Sequence, residues 1–238
     1  MHPRLGSLSR TRYDSAMFIQ MAQTHPEVYV AIVTTVIISV TLHELAHGWV
    51  ATWQGDDTPR ALGHLTPNPI VHMGVVSIVM AFLAGIAWGQ MPVNPRNFRS
   101  RYGDAYVSFA GPAMNLVLAI IGFTGLALWS KHLPAPEDLP PLQANLVMAL
   151  WQFGMINIVL AIFNMIPLPP LDGSRVMANL NHGYARWLDE NAELANFLFF
   201  AVFAILMSIS NTKYGLFTIA RHIGQWYLRL VGADMSYF

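Results

Sequence analysis

Residues Val28 to Trp53, VYVAIVTTVIISVTLHELAHGWVATW, constrain this chain more than any other stretch. They carry no charge through Leu42 and then present His43, Glu44 and His47 within one helical turn. As an α-helix the segment is about 39 Å long, enough to cross a hydrocarbon core of ~30 Å. Histidines four residues apart lie about 40° apart around such a helix, so both imidazoles can face one metal ion with the intervening carboxylate beside them. This HExxH pattern is the zinc-peptidase helix signature, although in soluble chains it also recurs by accident. Inside a membrane segment it carries more weight, because each ionisable group there costs roughly 2.5–3.5 kcal/mol to insert.

Composition places the segment in a membrane protein. The 238 residues are 54% hydrophobic and 11% charged, against about 25% charged in soluble domains. The net charge is zero and no basic block points to nucleic acid. Cysteine is absent, so disulfides are excluded and any metal must be held by His, Asp or Glu. Residues 1–27 contain Arg4, Arg10 and Arg12 but no apolar signal core, so the first span itself is expected to do the targeting.

Along the chain, Asp14 to Gln23 reads as a short interfacial helix and Pro26 as the start of the first span. Gln54 to Pro69 is rich in turn formers and reads as irregular or short β structure. Ile70 to Gly89 is apolar but holds Gly74, Gly85 and Gly89, and can either span or enter and return. Met91 to Asp104 is a polar loop; Ala105 to Ser130 and Asn145 to Ile166 are spans. The prolines of Pro167 to Gly173, PLPPLDG, break the helix. A short polar helix from about Ser174 to Asp189 follows, then a span near Ala192 to Ile209, and an amphipathic interfacial helix within Gly215 to Val231. The expected fold is an all-α polytopic membrane protein with four to six membrane helices. It forms one domain over 1–238, comprising an N-terminal segment at 1–27, a core at 28–180 and C-terminal helices at 190–238.

A catalytic zinc site needs three protein ligands and one open position. Asp56, Asp57, His64, His72, Asp104, Asp172, His182 and His222 are candidates for the third. Asp172 stands out, because an apolar span and a proline-broken turn return a lone carboxylate to the membrane. The competing reading makes it the cap of the helix that follows or part of an Asp-Gly turn. His64, His72, His132, His182 and His222 read as surface or packing residues, Asn157 as an interhelical hydrogen-bond residue, and the scattered methionines as core.

HELAHGW at 43–49, FAGPAMN at 109–115 and NMIPLPPLDG at 164–173 together resemble the three signatures of the site-2 protease family of intramembrane zinc metalloproteases. GHLTPNP and MPVNPRNF within 54–97 are similar to its compact bacterial branch, which lacks PDZ and CBS domains. The resemblance covers roughly residues 28–180. It implies one Zn²⁺ per chain held by His43, His47 and Asp172, with Glu44 as the base that takes a proton from zinc-bound water. It also implies a role for Asn164 in substrate positioning or oxyanion stabilisation, and a packing role for Asn115 and Gly111-Pro112. The implied partner is a membrane-protein substrate, single-span in type, cleaved in or near the bilayer of a bacterial-type cell membrane. His72-Met73-Gly74 departs from the family's His-x-Asp-Pro pattern. The rival from another class is a non-catalytic membrane metal-binding or scaffold protein, which would have no need of Glu44.

Topology imposes a further expectation. His43 lies about 22 Å along the first span from Val28, and Asp172 must reach the same depth. Two later spans return it there only if 70–89 is re-entrant. Arg60, Arg96, Arg99, Arg101, Arg175 and Arg186 then share the zinc side, which favours the cytoplasm, while Arg4, Arg10, Arg12, Lys213, Arg221 and Arg229 lie opposite.

Overall fold

The structure is a computed structural model that describes residues 15–209, 212 and 215–238. The arginines of the first twelve residues and Lys213 lie outside the described residues. The elements are α1 (Ser15–Thr24), α2 (Pro26–Trp53), α3 (Thr58–Ala61), α4 (Pro69–Ala84), α5 (Gly103–Ser130), α6 (Pro141–Asn164), α7 (Asp172–Leu180), α8 (His182–Glu190), α9 (Ala192–Ile209) and α10 (Leu216–Leu230). No strand occurs among the described residues. Four helices, α2, α5, α6 and α9, are long and apolar enough to span a membrane, so the chain is an all-α multi-pass membrane protein.

Segment 70–89 does not cross. Gly74 breaks α4 with φ 67° and ψ 169°, a backbone conformation that suits a residue without Cβ. The helical part beyond it, Val75 to Ala84, is about 15 Å long, half the hydrocarbon thickness. Gly85, left-handed at φ 67°, ends the helix, and the chain returns without regular structure through 86–91. The return is held by Ser77, whose Oγ donates to the Trp88 carbonyl and accepts from the Trp88 amide. The Gln90 amide then donates to the His72 carbonyl at 2.9 Å, so the hairpin enters and leaves at one end. Spans α5 and α6 can therefore return the chain to the level of His43, as the topology requires.

One expectation is narrowed and one corrected. Of the two forms expected between 54 and 69, irregular or short β, the chain takes the irregular one, a one-turn helix and turns. The cause is Asp56, fully buried, whose Oδ1 accepts from the Thr58 amide and hydroxyl and from Asn97 Nδ2, and whose Oδ2 accepts from the Asn94 amide at 2.7 Å. Those donors wrap the loop around a side chain and leave no ladder to pair. The single polar helix expected over 174–189 is two helices. Asn181 lies between them at φ −132°, and its side chain accepts from the Gly183 and Tyr184 amides as an N-cap.

The described core has three clusters. On one side of α6, Val36 and Val40 of α2 pack with Met73, Ala81 and Ile156. On another, Ala119, Phe123 and Ala127 of α5 meet Met155 and Ile158 of α6 and Ala220 and Leu228 of α10, and Leu126, Val147 and Tyr237 form the third. The expected amphipathic helix is thus present in α10, with its small-residue face packed on α5 and α6; Gly224 permits the approach, since a Cβ there would collide with the Phe123 ring.

Candidate metal centre

Three elements converge. His43 and His47 project from α2 with their rings edge to face at 4.7 Å between centroids, and both are buried. Asp172 opens α7 immediately after the proline-broken turn. One of its oxygens lies 3.0 Å from His43 Nε2 and the other 3.4 Å from His47 Nε2. It does not cap α7: Leu171 is the N-cap, and no side chain fills that role. Ligating atoms of His43, Glu44 and His47 all lie within 4.8 Å of one another.

Hydrogen bonds on the far side of each ring settle which nitrogen is free. His47 Nδ1–H donates to the Val107 carbonyl of α5 at 2.6 Å. For His43 the direction follows along a buried chain. Asn157 Nδ2 donates to the Phe153 carbonyl and to Ser39 Oγ, so its Oδ1 accepts from Asn115 Nδ2 at 2.9 Å. Asn115 Oδ1 is then the group facing His43, and His43 Nδ1–H donates to it at 2.6 Å. Both Nε2 atoms therefore face the carboxylate, which carries only lone pairs. Either Nε2 protons, as in an imidazolium–carboxylate pair, or a metal ion in their place joins the three groups.

The residues present fit a metal ion in that position. Atoms bound tetrahedrally at ~2.1 Å stand roughly 3.4 Å apart, in line with the two carboxylate–imidazole separations. The cradle is opened by Gly111, where a Cβ would fall against the Nε2 atoms of both histidines at once. Gly89, on the return of the hairpin, plays the corresponding part for Glu44: a Cβ there would overlap its carboxyl arm. Burial raises the free energy of the charged Asp172 carboxylate, yet its contacts with His43 and His47 outweigh this and hold it below the usual carboxylate range.

Other candidates are engaged elsewhere. Asp56 is surrounded by loop donors, Asp57 pairs with Arg60, and Asp104 pairs with Arg175 at 2.6 Å. His182 and His222 are exposed. Asn164 lies at the end of α6 and donates to the Leu160 carbonyl of its own helix at 3.0 Å. The asparagine that touches a site histidine is Asn115, expected only to pack. Its signal was present in the sequence as an amide in the interior of an apolar span, where a polar group needs a partner. Asn157 forms the interhelical bond expected of it, joining α6 to both α2 and α5.

Residues 31–138 and 136–209 match the family model for Peptidase family M50. A proposed zinc metalloprotease of Bacillus subtilis, YwhC, is 40% identical over 173 residues, which cover 72% of this chain and 78% of YwhC. A second proposed zinc metalloprotease, sll0528 of Synechocystis, is 31% identical over 169 residues, 70% of this chain but 36% of that protein. Rip2 of Mycolicibacterium smegmatis, which bears the same kind of name, is 28% identical over 155 residues, 61% of this chain and 55% of Rip2. No solved structure matches. With the greater part of its length covered by the family model, the chain belongs to Peptidase family M50, the site-2 protease family that its motifs resemble.

Proposed function

We propose that this chain is an intramembrane zinc metalloprotease that hydrolyses peptide bonds of membrane-protein substrates in or near the bilayer. One observation carries the reading: two imidazoles of a spanning helix and one carboxylate from a separate turn meet at one point, with both Nε2 atoms turned to the carboxylate and both Nδ1 atoms engaged behind. The family and the names of its relatives support zinc as the ion. His43, His47 and Asp172 are the proposed ligands. Zinc held there supplies a Lewis acid that lowers the pKa of water toward about 7 and polarises a peptide carbonyl.

The remaining steps belong to the chain. Glu44 holds the proton of the attacking water on a carboxylate oxygen and passes it to the departing amine nitrogen. Asn115 and the Val107 carbonyl fix the two rings, keeping Nε2 free as a ligand. Asn164 is proposed to act on the substrate, and the single domain of 1–238 to sit in a bacterial-type cell membrane. The arginines at 60, 96, 99, 101, 175 and 186 support a cytoplasmic metal side. A cysteine introduced as Arg60→Cys should then react only with reagents that reach the cytoplasm, and labelling from outside would reverse the orientation.

The rival reading, a metal-binding scaffold without turnover, makes Glu44 dispensable. Glu44→Gln should keep zinc at the His43, His47 and Asp172 centre and lower cleavage of a co-reconstituted single-span substrate by about 10²–10⁴-fold. Unchanged cleavage would remove Glu44 from the mechanism.

A further inference from the structure

A second histidine pair lies outside the centre described above. His64, from the turn after α3, and His72, near the start of α4, have ring centroids 6.1 Å apart at an interplanar angle of 74°. His72 is only 2% exposed. Its Nε2–H donates to the Thr66 carbonyl at 2.6 Å, which leaves Nδ1 as a bare acceptor. That Nδ1 is buried without a partner, and so is Nδ1 of His64. Two neighbouring imidazoles with unpaired buried nitrogens are uncommon, because a buried polar atom without a partner costs about 1–3 kcal/mol.

We propose that His64 and His72 form a second metal site that takes a divalent late transition-metal ion. Imidazole nitrogens suit zinc, copper, nickel and cobalt, and the chain has no thiol to compete for them. Two rings each bound through one nitrogen at ~2.0–2.1 Å to a shared ion have centroids roughly 4.5–6.5 Å apart, according to the angle at the metal. The observed 6.1 Å lies toward the wide end of that range and the 4.7 Å of His43 and His47 toward the narrow end. Burial and the neighbouring His72 push His64 below the usual imidazole range, so its lone pair is available. With two protein ligands against three, this is the weaker site. It borders the first: the His72 carbonyl accepts from Gln90, next to the Gly89 that lies against Glu44. The proposal does not rest on the proteolytic reading, because it uses neither Glu44 nor the three proposed ligands.

The test is a Co²⁺ titration of the chelator-stripped full chain in detergent, read by equilibrium dialysis and by the visible absorption of bound cobalt. Wild type should bind two equivalents, the second more weakly. His64→Ala should lose the second and keep the first, while His43→Ala/His47→Ala should lose the first and keep the second. His72→Gln, whose side-chain amide can still donate to the Thr66 carbonyl, should match His64→Ala. A single equivalent in wild type, or a second one that persists in His64→Ala, overturns the proposal. Loss of both equivalents in His64→Ala and His72→Gln also overturns it, because the pair would then merely support the first site.

Discussion

The two halves of α5 are one continuous helix built to opposite specifications. Its first half presents Val107, Gly111 and Asn115 to the histidines of α2, and every contact is a directed hydrogen bond or an absent Cβ. Its second half presents Phe123, Leu126 and Ala127 to α6, α10 and the C-terminus mainly through apolar packing, with one hydrogen bond between Thr124 Oγ1 and the Tyr227 hydroxyl. There Phe123 contacts Trp151 and Tyr227, Phe238 stacks on Trp151, and Tyr237 donates to the Pro134 carbonyl. Directed contacts hold a ligand's orientation and tolerate little change, whereas apolar packing holds the helices together and is indifferent to the metal. Damage to one half should therefore be readable without damage to the other.

The sharpest separation should come from Gly111→Ala. Its methyl would fall against both Nε2 atoms, so zinc affinity should drop by at least about a hundredfold while the metal-free chain loses only about 1–3 kcal/mol from the displaced rings. Retained zinc in that variant would mean the cradle is not where the glycine opens it. Asn115→Ala removes the acceptor that orients His43 and should cost about 10–100-fold in zinc affinity, measured by competition with a chelator. Phe123→Ala inverts the pattern: about 3–5 kcal/mol of stability lost from the far end, with zinc stoichiometry unchanged in the protein that remains folded. If both variants lose zinc and stability together, the two halves are one cooperative unit and the contrast fails.

The smallest effect concerns the loop beside the site. Burial alone would raise the Asp56 carboxyl, but the hydrogen bonds from Thr58, Asn94 and Asn97 outweigh it and leave the group below its ordinary value. A lowered folded pKa contributes stability that is complete above the unfolded carboxylate value and fades as pH falls through the folded one. Melting temperature should therefore drop as pH is lowered below about 4, and Asp56→Asn should melt lower at neutral pH with a shallower acid dependence. An identical acid profile in the variant would remove Asp56 as its source.

These contrasts also show what could be read from sequence. Hydrophobic length and proline placement were sufficient to locate α2, α5, α6 and α9 closely, because both depend on local chemistry. The re-entrant hairpin followed from a global requirement, that Asp172 meet His43 from the correct end. The motifs named His43, His47 and Asp172 as a set, and the structure brings them together. Gly111 and Asn115 were underestimated for a common reason: a missing methyl and a buried amide reveal their purpose only when the opposing helix is in place. Over 54–69 irregular and short β structure stayed open, because turn residues do not announce that one buried carboxylate will collect the loop's donors. The break at Asn181 was missed because an N-cap in mid-segment resembles any other polar residue of an amphipathic helix.

The central claim, that two imidazoles of α2 and the Asp172 carboxylate hold one ion, is tested most directly by zinc-edge X-ray absorption. The chain would be loaded with less than one equivalent of zinc, so that the tighter site dominates. The account predicts two imidazole ligands with the remaining donors oxygen, all at about 2.0–2.2 Å. A first shell with fewer than two imidazoles, or the same spectrum and affinity in Asp172→Ala, would contradict it.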